Sequence, residues 1–322
     1  MIILYIALAI ILVLLILLIA IGFIIHNKAF GKRYEANPLV KLYTKEEFNL
    51  GSTLIEINYK NDIIRGNLYS YNNYDPTKLI IFCHGMWSNH NSYLQDIEYF
   101  CRNNLLVFGF DYLGVSSSTG KNIKGLGNSL KSLDIVVKYF EEKYPNKEIY
   151  VVGHSWGAFS TTNIILLHPN IKGIIALSPF ISIYSCLKSF IPKNLSFLAP
   201  FIFLAEYLKN GKYSLMKTKD SLKNYKGKAL ILGSTDDSMI SFNKNTGYIM
   251  KLYPNLNYLI FDDRGHNPNY TALAVKKLQS FQNDVKSVPS DKMVEFMNSI
   301  NFHELGELDL KVMDKLIEFI KL

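Results

Sequence analysis

A serine lies at the centre of the most informative motif in the sequence, GHSWG at residues 153–157. The motif follows a short apolar run that ends in two valines, and a helical pattern begins directly after it. A strand that turns at once into a helix needs glycines where the two elements crowd together, and it exposes the central serine on a strained corner. The N-terminus of the helix adds unpaired N–H groups that favour developing negative charge. The motif therefore predicts that Ser155 is a nucleophile.

A serine hydroxyl needs a base, and the base is expected to be a histidine that follows the serine in the chain. Three histidines qualify: His168, His266 and His303. His168 precedes a proline at a helix end, which is typical of a surface cap, and His303 lies in the C-terminal tail. His266 follows the last predicted strand, at the sheet edge where the strands end and where a base could reach Ser155. We therefore predict His266 as the base.

The imidazole in turn needs an acid that orients it. Two aspartates, Asp236 and Asp237, follow the preceding predicted strand. Asp236 is the preferred acid, and Asp237 stays open as the alternative, since one of the pair could instead cap a helix. Asp262 and Asp263 are too close to His266 in the chain to orient it.

A negatively charged oxygen needs hydrogen-bond donors. One predicted donor is the backbone N–H of Trp156, directly after the serine. The other is the N–H of Met86, in a loop that follows an earlier strand. His84 is expected to brace that loop rather than to react, and Cys83 is expected to be a buried residue at the strand end.

The elements that must position these residues alternate between apolar strands and amphipathic helices. An N-terminal β-hairpin is predicted at 52–59 and 63–71. Such alternation is typical of a mostly parallel sheet covered by helices on both faces. Further strands are predicted at 79–83, 105–110, 148–152, 171–177, 228–232 and 256–261, and helices at 94–103, 129–144, 158–167 and 309–322.

The alternation breaks at 181–226, a stretch rich in Phe with Pro192 and Pro200. We interpret it as a helical insertion over the sheet that could act as an apolar lid. Ordinary helix packing is the alternative interpretation.

The first 25 residues contain an uncharged apolar run that is long enough to cross a bilayer as a helix. A cleavable signal peptide, with Ala20-Ile21-Gly22 as its cleavage site, is the alternative; the absence of Lys or Arg before the run and the length of the run argue against it. The predicted organisation is a transmembrane anchor at 1–26, a juxtamembrane connector at 27–50 and one domain at 51–322. Basic residues after the run place that domain in the cytoplasm by the positive-inside rule: Lys28, Lys32, Arg33, Lys41 and Lys45.

The net charge of +8 is spread along the chain, which argues against a nucleic-acid partner and for a solvated surface. The three cysteines cannot form a disulfide framework and show no metal-ligand spacing. The serine chemistry that the motifs predict implies no metal and no organic cofactor. The oligomeric state is not predicted.

From about residue 79 to 267, the chain resembles the α/β-hydrolase superfamily. The motifs that carry the resemblance occur in the order of the superfamily: His84-Gly85, a stretch from Asp111 to Gly120, GHSWG, Gly233-Ser234-Thr235-Asp236 and Gly265-His266. Within it, the chain resembles the serine aminopeptidase and monoglyceride-lipase-like group, which includes lysophospholipase-like proteins. Ser116 replaces a common glycine, and Trp156 replaces a Met, Gly or Gln and could narrow the pocket. By position the resemblance assigns the nucleophile to Ser155, the acid to Asp236 and the base to His266.

The resemblance and the residues together imply a membrane-anchored serine hydrolase that forms an acyl-enzyme on Ser155. A small-molecule acyl ester is the expected partner, such as a lysophospholipid or a monoacylglycerol. A peptidase, a thioesterase, an acyltransferase or a non-catalytic binding protein on the same fold are the alternatives.

Overall fold

The computed structural model describes residues 1–37 and 39–322. The strands are β1 Gly51–Tyr59, β2 Asp62–Ser70, β3 Lys78–Cys83, β4 Leu106–Phe110, β5 Glu148–His154, β6 Gly173–Leu177, β7 Lys228–Ser234 and β8 Asn257–Phe261. The helices are α1 Ile2–Phe30, α2 Leu94–Arg102, α3 Gly127–Lys143, α4 Trp156–Ile164, α5 Ile183–Ser189, α6 Ala199–Asn210, α7 Lys212–Leu215, α8 Thr218–Leu222, α9 Thr246–Leu252, α10 Ala272–Asp284, α11 Met293–Ser299, α12 Phe302–Leu305 and α13 Leu310–Lys321.

The strands form an eight-stranded sheet in the order β1-β2-β4-β3-β5-β6-β7-β8. The hairpin of β1 and β2 is antiparallel and joins β4 antiparallel, whereas all pairs from β4 to β8 are parallel. The parallel part brings the carboxyl ends of β3, β5, β7 and β8 to one edge, where the predicted site residues follow them. The predicted mostly parallel sheet is confirmed.

Helices cover both faces of the sheet because its parallel strands are apolar on both sides. One face packs against α3 and α4, and four residues predicted to share a face of α3 are buried there without measurable exposure: Leu130, Leu133, Val137 and Phe140. The other face packs against α2 and α13. Met313, Leu316, Ile317 and Ile320 of α13 are buried as predicted, whereas Leu310 is exposed.

Helices α5 to α8 occupy the stretch predicted as an insertion, 181–226, between β6 and β7. Pro200 lies at the start of α6, where its missing N–H leaves no hydrogen bond unmade. The helix α10, which follows β8, had no counterpart among the predicted elements.

Helix α1 is longer than the predicted anchor at 1–26, and it is apolar enough and long enough to cross a membrane. Residues 2–17 are exposed, whereas Gly22, His26 and Phe30 are buried against the domain. The stretch predicted as a connector, 27–50, is packed as well: Tyr34 forms a β-bridge with Val115, and Tyr43 and Leu50 are buried. The folded domain therefore begins within α1 rather than at residue 51, because residues of α1 and of the stretch 27–50 are packed on it.

Candidate active site

Ser155 occupies the turn between β5 and α4, with φ 55° and ψ −110°. A non-glycine residue rarely adopts this backbone conformation, and such strain often marks functional positions. The flanking glycines allow the crowding that the turn imposes. A Cβ on Gly153 would lie 2.4 Å from Thr161 Oγ1, and a Cβ on Gly157 would lie 2.1 Å from the carbonyl oxygen of Cys83. The sequence GHSWG therefore folds into the predicted strained corner.

His266 lies in the loop after β8, and its Nδ1 is 2.8 Å from Asp237 Oδ2. A carboxylate accepts hydrogen bonds and cannot donate them, so Nδ1 carries a proton; in a neutral ring Nε2 then has the free lone pair. The side chains of Asp237 and His266 are 3% and 11% exposed, so the pair is shielded from solvent. The arrangement can accept a proton at Nε2 and stabilise the imidazolium that results.

The structure corrects the preference for Asp236 as the orienting acid, because the carboxylate against His266 belongs to Asp237. Asp236 Oδ1 instead accepts hydrogen bonds from the Ser234 hydroxyl and, at 2.9 Å, from the backbone N–H of Gly265. Asp237 also uses its second oxygen, Oδ1, to accept the amides of Met239 and Ile240 at 2.9 and 2.8 Å. Asp236 therefore anchors the loop that carries His266, and Asp237 contacts the ring.

The other two histidine candidates have partners elsewhere. His168 lies between Asp134 and Glu141, at 2.8 and 2.7 Å. His303 has a half-exposed side chain near Glu47. Of the three candidate histidines, His266 is the one that lines a cavity together with Ser155.

The loop after β3 holds Met86 at the same cavity as Trp156. Within residues 1–37 and 39–322, the backbone N–H groups of Met86 and Trp156 donate no hydrogen bond to another protein group. Both amides are therefore free to bind an oxygen of a ligand. His84 braces this loop, as predicted, because its Nδ1 donates to the carbonyl oxygen of Gly85 at 2.7 Å. Burial lowers the pKa of His84 to about 4, so its ring is neutral at pH 7.

A second buried histidine, His154, connects three parts of the site. Its Nε2 is 2.8 Å from the carbonyl oxygen of His266 and must donate to it. Its Nδ1 therefore accepts from the Tyr93 hydroxyl at 2.7 Å, and that hydroxyl accepts the Gly85 N–H at 3.1 Å. Burial lowers the pKa of His154 to about 3, which keeps the ring neutral in this role. Sequence analysis missed both His154 and Tyr93, although His154 directly precedes Ser155.

Ser155 and His266 open into a cavity of about 310 Å³ with a largely apolar wall. Its charged lining residue is Lys41, and no Asp or Glu is found among the described residues that line it. Trp156 is 1% exposed, and its Nε1 donates to the carbonyl oxygen of Leu126 at 2.7 Å, so the indole belongs to the packed wall. The insertion contributes Cys186 and Phe190. In the described part of the chain, no three His, Cys, Asp or Glu side chains are placed to hold a metal ion.

The sequence pattern of the family described as serine aminopeptidase, S33, matches residues 74–243, which is more than half of the chain. The chain belongs to this family. The matched part of this S33 protein includes Ser155 and Asp237 and ends before His266. No curated protein matches the chain.

Solved structures show the same fold as this S33 protein. An esterase from Pyrococcus furiosus superposes with a TM-score of 0.59 at 18% identity, over 90% of this chain and 98% of that chain. Est1E from Butyrivibrio proteoclasticus, solved with ferulic acid bound, gives 0.55 at 19% identity, over 73% and 100%. DcsB, in complex with its substrate analogue, gives 0.54 at 17% identity, over 84% and 99%. These likenesses establish the α/β-hydrolase fold, and the family makes the chain a hydrolase of that superfamily.

Proposed function

We propose that this protein is a membrane-anchored serine hydrolase that cleaves carboxylic esters through an acyl-enzyme on Ser155. The observation that carries the proposal is the His266–Asp237 pair at a cavity shared with a serine on a strained turn. A neutral imidazole held by a buried carboxylate is the arrangement that activates a serine hydroxyl.

In the first half of the proposed reaction, Ser155 Oγ attacks the carbonyl carbon of the ester and His266 Nε2 takes the hydroxyl proton. The carbonyl oxygen gains the negative charge and accepts hydrogen bonds from the Met86 and Trp156 amides. The intermediate then collapses: the bond from carbon to the alcohol oxygen breaks, and His266 returns its proton to the leaving alkoxide. The acyl group stays on Ser155.

In the second half, a water molecule attacks the acyl carbon and gives a proton to His266 Nε2. The same two amides bind the oxyanion, the bond to Ser155 Oγ breaks, and the proton returns to the serine. The products are the alcohol and a carboxylic acid.

The wall of the cavity favours an ester over the peptide substrate that the family name suggests. An aminopeptidase must bind a cationic amine, which a buried site holds by a carboxylate or by several acceptors. No carboxylate is found among the described lining residues of this cavity. Apolar lining residues such as Phe180, Phe190 and Ile240 instead fit a hydrocarbon chain. We therefore propose a hydrophobic acyl ester, with lysophospholipids and monoacylglycerols as the first substrates to try.

The proposed activity is tested by labelling with a fluorophosphonate probe, for the wild type beside Ser155→Ala and His266→Ala. Each form is also assayed with p-nitrophenyl esters from acetate to laurate and with aminoacyl p-nitroanilides. We expect labelling only of the wild type, and ester cleavage without anilide cleavage. A folded wild type that is not labelled would contradict the mechanism and favour a binding protein. Efficient anilide cleavage would instead favour a peptidase.

The proposed anchor is α1, whose apolar residues 2–17 are exposed. A cleaved signal peptide fits less well, because cleavage at Gly22 would remove a residue that is packed tightly on α6. The proposed orientation places the domain in the cytoplasm. The intact N-terminus should be found by mass spectrometry, and the protein should stay with membranes after an alkaline carbonate wash. A water-soluble chain that begins after Gly22 would contradict the anchor.

A further inference from the structure

The last third of α1 packs along α6 of the insertion. Gly22, His26 and Phe30, spaced by one helical turn, form the buried face. A Cβ on Gly22 would lie 2.5 Å from the carbonyl carbon of Phe201, so the two helices approach as closely as only glycine allows. Helix α1 is therefore closely packed on the insertion.

A polar group fixes the same contact one turn further on. His26 Nε2 is 2.9 Å from Glu206 Oε2, and neither side chain is exposed. Glu206 also accepts the backbone N–H groups of Leu126 and Gly127, at 3.0 and 2.9 Å, where α3 begins. Leu126 lines the cavity, and its carbonyl oxygen accepts the Trp156 indole. Helix α1, the insertion and the cavity wall thus form one hydrogen-bonded unit.

The contacts also give the direction of the two helices. Gly22 meets Phe201, His26 meets Glu206, and Lys209 Nζ lies 3.3 Å from His26 Nδ1. Residue numbers rise together along both helices, so α1 and α6 run parallel. Residues that precede Phe201 therefore lie toward the free, N-terminal end of α1.

The free end of α1 sets where a bilayer would lie. A hydrocarbon core of about 30 Å needs about 20 helical residues at 1.5 Å each. In α1 the exposed apolar residues give way at Gly22 to residues that pack on the domain, so the boundary of the core is placed beside Gly22 and Phe201. On the proposed anchoring, the segment directly before α6 is expected at that boundary or within the lipid.

That segment, residues 190–198, is here named the lid tip. Three of its large apolar side chains point into solvent: Phe190 is 64% exposed, Phe197 56% and Leu195 40%. Lys188 and Lys193, beside and within it, are exposed too. Aromatic and aliphatic side chains mixed with lysines are typical of segments at a membrane interface, where the amines meet lipid phosphates.

We propose that the lid tip is inserted in the interface of the bilayer that α1 spans, so that the cavity opens toward lipid. Phe190 belongs to both the lid tip and the cavity wall, and it marks the side from which an acyl ester would enter. This inference rests on the proposed anchor and on no particular ester. It commits to a lipid surface, because the exposed apolar lid tip directly precedes α6, which packs on the helix proposed to span the bilayer.

The proposal is tested with Phe197→Trp in liposomes of phosphatidylcholine and phosphatidylglycerol. A matched control is Val294→Trp on α11, because Val294 is 72% exposed and far from α6 in the chain. Phosphatidylcholine brominated near the glycerol end of its acyl chains should quench the new tryptophan at 197 at least about twice as strongly as that at 294. Acrylamide in the water should show the opposite order. Fluorescence is compared with that of the wild type, which contains Trp87 and Trp156.

The outcomes separate the two proposals. Protein that leaves the liposomes in alkaline carbonate would overturn the anchor, and this inference with it. Protein that stays in the liposomes with a tryptophan at 197 quenched by acrylamide and not by bromine would overturn the lid-tip insertion alone. So would a tryptophan shielded from both quenchers, which would indicate a protein partner, such as a second copy, over the lid tip.

A second measurement uses activity. Leu195→Ser combined with Phe197→Ser should lower the cleavage of a long-chain ester held in liposomes about tenfold, and leave the cleavage of p-nitrophenyl acetate unchanged. Neither residue lines the cavity. Val294→Ser is the control and should change neither rate. Equal rates for the double variant and the control on the liposome-bound ester would contradict the proposal.

Discussion

At the scale of single residues, two adjacent carboxylates after β7 have different tasks. Asp237 contacts the ring of His266, whereas Asp236 accepts the backbone N–H of Gly265 in the same loop. The contact with Asp237 sets the tautomer of His266, and the contact with Asp236 sets the position of its loop. The proposed role of Asp237 requires an ionised carboxylate, whereas the role of Asp236 requires only an oxygen that can accept a hydrogen bond.

We expect Asp237→Asn to lower kcat for p-nitrophenyl butyrate by about 10³- to 10⁴-fold, because an amide can hold His266 in the wrong tautomer and cannot stabilise the imidazolium. Asp236→Asn should lower kcat by less than about tenfold, since an amide oxygen can still accept from Gly265. Steady-state kinetics on both variants, with matched melting temperatures, check the order. A larger loss for Asp236→Asn would reverse the assignment.

The phenol of Tyr93 permits a second test at this scale. Tyr93→Phe leaves the Gly85 N–H and His154 Nδ1 without their buried partner, which costs about 1–3 kcal/mol of stability. We expect kcat to fall about tenfold, because Gly85 precedes the proposed oxyanion donor Met86 and His154 holds the His266 backbone. KM for p-nitrophenyl butyrate should change less than twofold. A loss of melting temperature with unchanged kcat would reduce Tyr93 to a purely structural role.

Sequence alone limited the acid to two neighbours but could not choose between them. The choice depends on which way each side chain leaves a turn, and that is decided by partners at Gly265 and His266, about thirty residues later. His154 was visible in the motif, but its role depends on Tyr93, which is 61 residues away in the chain. That Ser155 and His266 share one cavity was predictable, because each follows a strand in a sheet whose order brings their loops together.

At the scale of elements, the parallel strands were predictable and the end of α1 was not. Strands such as β3 and β5 contain unbroken apolar runs, and this local pattern predicts that both faces of the sheet are covered. By contrast, residues 22–30 of α1 look like the end of an apolar helix. The burial of Gly22, His26 and Phe30 depends on α6, which lies about 180 residues later, so composition placed the end of the anchor a few residues too far along the chain.

Asp96 of α2 gives a test of how the loop after β8 is held. The Asn269 amide donates to Asp96 Oδ1 at 2.6 Å, and burial raises the pKa of Asp96 from its ordinary value of 3.8 to about 7. Between these values the folded state keeps a proton that the unfolded state has lost, so stability falls as the pH rises from about 4 to about 7. Above pH 7 the folded state bears the full free-energy cost of burying the ionised Asp96 carboxylate.

We expect Asp96→Asn, which can still accept from Asn269, to raise the melting temperature at pH 8 and to change it less at pH 5. Asp75→Asn is the control of opposite sign, because the hydrogen bonds of Thr77 lower the pKa of Asp75 to about 2. That variant should lose stability at pH 5 and above. Thermal unfolding across this range checks both, and a destabilised Asp96→Asn at pH 8 would contradict the raised pKa.

At the scale of the whole molecule, the N-terminal helix is part of the folded unit. We expect a shortened protein that begins at Leu18 to keep a melting temperature within a few degrees of the full chain in detergent. One that begins at Gly31 should melt at least roughly 5 °C lower, because it loses the packing of Gly22 and leaves Glu206 without His26. Thermal unfolding of the two forms checks this, and equal melting temperatures would mean that the α1–α6 contact adds nothing.

On the proposed anchoring, the parallel packing of α1 on α6 would also make the protein sensitive to the thickness of its membrane. Because Gly22 and His26 fix the lid tip at one height on α1, a thicker hydrocarbon core would cover the mouth of the cavity and a thinner one would leave it in water. We expect cleavage of a liposome-bound ester to pass through a maximum in a series of lipids with lengthening acyl chains. Cleavage of p-nitrophenyl acetate should stay flat across the same series, so hydrophobic mismatch alone could tune the activity of this protein from one membrane to another.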